Sequence, residues 1–355
     1  MDNKLICIAT LIVALGCKAE EDKSSKATTA SSEPAPSASA PVLDTKIASA
    51  VASAAGASDK AQAAAEGPPE NGILGLERAN EELAKGAPAT VKLGSAGSEP
   101  RIRLGANDWG DKRTGQLELS VRTGAGIIPT TAFKFDIRKA PANGAEPSSA
   151  PAYTLDIVSS ELAATQPAEI PPALAAEIRK LKGGHFTALT GATGLLGSPA
   201  PKLASGANQQ LDSLMQAGSA TLNDAIPAFP SEAVGVGAFW LVKSREELFG
   251  ADVVAYRMIK VVEIDKEQVV LDVNTKRYLA DTTLGLPGLE QAEVHQFQSE
   301  GSTQMTLTTG TALPLDGRSQ TSLRAFVEME GQPRPVQVEM RGLFTFSPQP
   351  AAPKQ

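Results

Sequence analysis

The chain has 355 residues, 4% of them aromatic, with 33 lysines and arginines against 40 acidic residues and a net charge of −7. An acidic balance without a basic stripe excludes nucleic acid as the expected partner. Two cysteines are too few for a disulfide framework, and both fall within the first seventeen residues, far from the two histidines. Scarce aromatics require a core of Leu, Ile, Val and Ala.

In chain order, Met1-Asp2-Asn3-Lys4 leads into an apolar run, Leu5 to Leu15. That run falls short of the roughly 20 residues needed to span a bilayer, and Lys18, Glu20, Glu21 and Asp22 block its extension. The order is that of a secretory signal peptide, expected over 1–16. Gly16 followed by Cys17 resembles the lipobox of bacterial lipoproteins, although Ala14 stands where leucine is usual. The resemblance implies cleavage between Gly16 and Cys17, with thioether-linked diacylglycerol on Cys17. Lys18 in place of an aspartate implies, by the same resemblance, the outer membrane, facing periplasm or exterior. Cys7 leaves with the signal, so the expected mature fold has no thiol for a disulfide.

Residues 17–69 are the lipidated N-terminus and a tether of Ala, Ser, Pro, Thr and charge, without aromatics. Such a composition buries too little apolar surface to offset the entropy of ordering. As a coil it spans on the order of 40 Å.

The body, 70–347, is dominated by period-two alternation. Leu117, Leu119 and Val121 share one face, as do Phe133, Phe135 and Ile137. Later runs repeat the pattern: Val269-Leu271-Val273, Met305-Leu307, Leu323 to Met329, and Val336 to Met340. This is the signature of antiparallel strands with one dry and one wet face. A hairpin is expected at Asp265-Lys266, and a turn at Gly191 to Gly197 after a strand beginning at His185. A bulge is expected at Gly342, where Leu343 and Phe344 are both apolar. Two helical stretches interrupt the strands. One opens at Pro171-Pro172, with Leu174, Ile178 and Leu181 on one face. The other runs from about Asn208 to Asn223, with Leu211, Leu214, Met215 and Leu222 on one face. The expected fold is α+β: a mainly antiparallel, curved, half-barrel-like sheet covered by two mid-chain amphipathic helices. Residues 348–355 read as a frayed tail.

The run Ile226 to Trp240, with Val234-Gly235-Val236-Gly237-Ala238-Phe239-Trp240 at its end, resembles a family of uncharacterised envelope lipoproteins of Gram-negative bacteria. The resemblance covers roughly 70–346 and departs from the family pattern at 290–303. The strand order is similar to the half-barrel of lipoprotein-carrier proteins. The family brings no activity to carry over. Gly235 and Gly237 read as a tight entry into a strand. Trp240 and Phe239 are the candidate ligand or core contacts, and Trp240 is expected to plug the dry face.

Chemistry is sparse. His185 and His295 lack ligand partners at helical spacing, so no metal and no cofactor is expected. No nucleophile elbow and no phosphate loop occurs. Glu118 and Asp136 are carboxylates that the strand pattern allows to face each other, and they read as a solvated pair. The expectation is a non-enzymatic structural or protein-interaction module held to a membrane by its N-terminal lipid. The alternative is a periplasm-facing carrier for an apolar, lipid-like ligand.

Overall fold

The computed structural model describes residues 69–348, less 106–108, 110–111, 125, 140–151, 164–171, 192–193, 209–210, 285–288, 290–291 and 330–331. The signal and lipidation positions, Gly16 and Cys17, the tether, and the expected tail past residue 348 lie outside the described residues. No helix among the described residues is long and apolar enough to cross a membrane.

Thirteen strands alternate along the chain: β1 (Thr90–Ser95), β2 (Lys112–Thr123), β3 (Gly126–Lys139), β4 (Ala152–Leu162), β5 (His185–Gly191), β6 (Gly194–Leu195), β7 (Ala200–Lys202), β8 (Phe239–Leu248), β9 (Ala251–Asp265), β10 (Gln268–Leu279), β11 (Glu293–Thr308), β12 (Pro314–Met329) and β13 (Gln332–Pro348). They form one sheet, ordered β1-β8-β9-β10-β11-β12-β13-β2-β3-β4-β5-β6, with β7 also on β5. All strand pairs are antiparallel. The junction β13–β2 joins the two ends of the body, so the N-terminal meander and the C-terminal meander share one hydrogen-bonded surface.

The expected hairpin closes β9 onto β10 through Lys266, whose φ of 39° places it in the left-handed region that a two-residue turn requires. Between the end of β10 and the start of β11 the strands fork, and residues 71–74 fill the gap. The Leu279 amide donates to the Gly72 carbonyl at 2.9 Å, and the Phe297 amide donates to the Asn71 carbonyl at 2.8 Å.

The helices are α1 (Leu76–Glu82), α2 (Pro172–Arg179) and α3 (Asp212–Ala225). Their roles differ from the expected pair of covers. The short α1 lies on the outer face, where Ala79 packs with Val254 and Ala280. The α2 helix packs on β4, near one end of the sheet, with Ile178 and then Leu181 buried. The α3 helix meets β2, β7, β8, β11, β12 and β13, elements from both ends of the sheet, so the sheet bends around it. Every residue from Ala217 to Ala225 is buried. It is a core helix enclosed by the dry face, not an amphipathic lid.

Small residues make that enclosure possible. A Cβ on Gly218 would sit 3.0 Å from the Phe186 ring, and one on Gly342 would sit 2.3 Å from Thr221 Cγ2. No bulge occurs at Gly342: the registers of β13 with both neighbours run through it unbroken. Parity is kept, with Met340, Gly342 and Phe344 inward and Leu343 outward at 56% exposure. Sequence parity failed there because an inward site was occupied by nothing larger than hydrogen. Burial of each large aliphatic or aromatic side chain in this core contributes roughly 1.5–3 kcal/mol.

Candidate functional site

The dry face is not uniformly apolar. Where the C-terminal turn of α3 meets β8, β9 and β10, four charged side chains are buried together. Asp224 comes from α3, Glu246 from β8, Arg257 from β9 and Arg277 from β10, each no more than 6% exposed. Each strand residue lies in phase with inward neighbours: Glu246 follows Trp240 and Val242, Arg257 precedes Ile259 and Val261, and Arg277 follows Leu271 and Val273. Strand alternation therefore delivers them to the interior.

The network is dense. Arg277 donates from Nε to Glu246 Oε1 at 2.6 Å and from Nη2 to Asp224 Oδ1 at 2.5 Å. Arg257 Nη2 donates to Glu246 Oε2 at 2.5 Å and to Asp224 Oδ1 at 3.1 Å, while its Nη1 donates to Ser244 Oγ at 2.7 Å. Thr321 on β12 donates to Asp224 Oδ2 at 3.0 Å, and Asn223 donates to Glu246. Two carboxylates meet two guanidiniums, so the cluster is formally neutral. Burial pushes the Glu246 carboxyl up, but the charges of Arg257 and Arg277 outweigh it and hold it below the ordinary range. The Arg257 guanidinium is raised: burial acts against it, and Glu246 and Asp224 more than compensate.

Asp224 stands at an unfavourable place by helix electrostatics. It is the penultimate residue of α3, where the partial negative charge of the helix end repels a carboxylate. The two arginines reverse that repulsion and, with Thr321, tie the end of α3 to β9, β10 and β12. The rest of the helix rests on apolar neighbours. Gly218 faces Phe186 and Leu117, and the Thr221 hydroxyl lies 3.3 Å from Met340 Sδ.

The opposite face of the sheet carries the described cleft. It has a volume of about 820 Å³ and is lined by polar side chains that include Asp272, Gln304, Arg318, Gln320 and Arg341. A second hollow of about 560 Å³ shares Glu118, Gln304, Arg318 and Leu343 with it. One cross-strand row forms a hydrogen-bonded ladder: Arg318 donates to Gln304 at 2.9 Å, and Gln304 donates to Asp272 at 3.1 Å. Leu343 opposes Arg318 on one side and Glu118 on the other.

The sequence candidates fall as follows. Trp240 is fully buried and donates from its indole N–H to the Ala228 carbonyl at 2.8 Å, so it is a core contact that plugs the dry face. Phe239 points the other way, and its ring fills the space a side chain on Gly94 would need. Gly237 has φ 80°, and Gly235 lets the Ser98 carbonyl pass within 1.7 Å of where a Cβ would stand. Glu118 does not face Asp136: it opposes Ala132, while Asp136 opposes Thr114 and Asp156. His295 pairs with Glu328 at 2.9 Å on the exposed face. Among the described residues no three His, Cys, Asp or Glu side chains gather as a metal site. The buried cluster was absent from the sequence candidates. Its signal was available, as three charged residues standing in phase with apolar strand positions.

No family model matches this chain. No curated protein matches it either. Among solved structures, it is similar to a lipovitellin structure described in terms of its lipid–protein interactions, at 7% identity and a TM-score of 0.40. The similarity covers 70% of this chain and 27% of lipovitellin, so the chain spans about a quarter of that protein's length. At that distance the likeness carries neither fold nor function across.

Proposed function

We propose that this chain is a lipid-anchored envelope protein that acts as a non-enzymatic interaction module. Cys17 holds it to a membrane, the outer one on the grounds of Lys18, and a partner docks on the polar face of its sheet. The observation that carries this reading is the division between the two faces. The dry face is filled by α3, while the described cleft opens on the polar face among Gln304, Arg318 and Leu343. A packed interior offers no standing groove for a greasy ligand.

The test begins with the intact mass of protein from the native host. The expected mass begins at Cys17 and includes diacylglycerol. A photo-crosslinking residue at Leu343 is then expected to form one saturable adduct that Arg318→Glu abolishes. An unprocessed chain beginning at Met1, or a Leu343 adduct indifferent to Arg318→Glu, would refute the account. Turnover of ester, peptide or glycoside substrates above a denatured control would refute the non-enzymatic assignment.

A further inference from the structure

We infer that the cleft on the polar face holds an extended, uncharged polysaccharide laid across the strands. The inference rests on the interaction-module reading and names the chemistry of the partner at that same cleft.

Strand register defines the site. Two neighbouring rows of outward side chains cross the sheet at right angles to its strands. One is the ladder Asp272, Gln304 and Arg318, continued by Leu343 and Glu118, on directly paired positions of β10, β11, β12, β13 and β2. The other lies two residues along each strand and reads Asn274, Ser302, Gln320, Arg341 and Ser120, again directly paired. All of these residues line the cleft of about 820 Å³.

The two rows use their hydrogen-bonding capacity differently. The first ties itself together, since Arg318 donates to Gln304 and Gln304 donates to Asp272, while Glu118 accepts from Gln116. In the second row no side chain is hydrogen-bonded or ion-paired among the described residues. An amide, a hydroxyl, an amide, a guanidinium and a hydroxyl therefore stand in line with their donors and acceptors unused, beside a row held in place by its own bonds.

Composition then selects the partner. A protein interface is centred on aromatic or aliphatic anchors that lose all contact with water, whereas Leu343 is the one large exposed apolar side chain in the two rows. A nucleic acid requires a surplus of positive charge. Here Arg318 and Arg341 are matched by Asp272 and Glu118 in the same cleft. A chain of hydroxyls without net charge meets both conditions: it exchanges hydrogen bonds with the open row and rests a C–H face on Leu343. Spacing agrees with this. Neighbouring strands lie about 4.8 Å apart, close to the advance per sugar of an extended β-1,4-linked chain, so successive sugars meet successive strands. From β10 to β2 the row measures about 19 Å, which gives an extended chain several consecutive contacts.

The probes are chitohexaose, cellohexaose, the short chitobiose and the acidic hexagalacturonate, each titrated into the full-length protein. An uncharged hexamer is expected to bind with an affinity that salt leaves unchanged. Chitohexaose is expected to bind at least about tenfold more tightly than chitobiose, because the dimer reaches only part of the row. Gln320→Ala removes the central amide from an exposed position and is expected to weaken the bound hexamer about tenfold while leaving urea unfolding unchanged. Binding by neither uncharged hexamer, equal affinity for chitohexaose and chitobiose, or tighter binding of hexagalacturonate overturns the inference. The photo-crosslinked adduct at Leu343 separates that failure from failure of the interaction reading. An adduct with a protein overturns the polysaccharide and leaves the interaction module standing, whereas no saturable adduct overturns both.

Discussion

The two faces of the sheet hold the same chemistry under opposite conditions. Outside, Arg318, Gln304 and Asp272 form an exposed ladder, and Arg138 meets Asp156 at 2.6 Å with the arginine side chain 61% exposed. Inside, Arg257 and Arg277 meet Asp224 and Glu246 at similar distances with almost no exposure. Water screens the outer groups, so exposed pairs of that kind contribute roughly 0–1 kcal/mol. The inner ions have given up their hydration, and each depends on the others for compensation. The same bond lengths therefore carry small weight on one face and large weight on the other. They also do different things: the outer ladder leaves its polar groups in solvent, and the inner cluster fixes where α3 ends.

The contrast can be broken most sharply at the inner cluster. Arg277→Met leaves Asp224 and Glu246 facing a single guanidinium, and the expected loss is about 3–5 kcal/mol in urea unfolding. Replacing Asp224, Glu246, Arg257 and Arg277 together by apolar residues of matched volume is expected to recover most of that loss. A quadruple variant as unstable as the single one would show that pairing is not what the site depends on.

Acid provides the next test. Glu246 titrates lower in the fold than in the unfolded chain, whose glutamates titrate at about 4.3. Its contribution to stability is therefore complete above that value and is lost as pH falls through the lower, folded value. The protein is expected to lose stability steeply below pH of about 4, and Glu246→Gln is expected to flatten that slope. An unchanged slope in the variant would move the effect to other carboxylates.

A smaller effect is expected under α3. Gly342→Ala places a methyl against Thr221 Cγ2 and is expected to cost about 1–3 kcal/mol. Thr221→Ser removes that methyl while keeping the hydroxyl, so the double variant is expected to regain most of the loss. If it does not, the helix is not in contact with β13 at that point. Least affected is the outer ladder: Arg318→Ala is expected to change stability by no more than about 0.5 kcal/mol. A larger change would mean that the two faces are less different than their exposure implies.

Much of the sheet was legible in the sequence because alternation has a physical period. Leu117-Leu119-Val121 and Phe133-Phe135-Ile137 took their expected faces, and the Asp265-Lys266 hairpin closed where charged residues separated two apolar runs. The role of α3 was not legible, because the sequence marks only its apolar positions and says nothing of what pairs with Ser219, Thr221, Asn223 and Asp224. They are polar, but their partners lie far along the chain: Pro199 for Ser219, Glu246 for Asn223, and Arg257, Arg277 and Thr321 for Asp224. Composition reports that a side chain needs hydrogen bonds, not whether water or protein supplies them. Gly342 misled for the complementary reason, since an inward position without a side chain leaves no mark on the hydrophobic pattern. Trp240 was placed correctly because its size has only one economical location in an aromatic-poor core.

The most direct measurement is a double-mutant cycle between Asp224→Asn and Arg277→Met, read by urea unfolding. If the end of α3 is held by charges that compensate one another, each single change is strongly destabilising, and the pair together loses far less than the sum, with a coupling of about 0.5–3 kcal/mol. Additive losses would contradict the account, leaving α3 fixed by apolar packing alone.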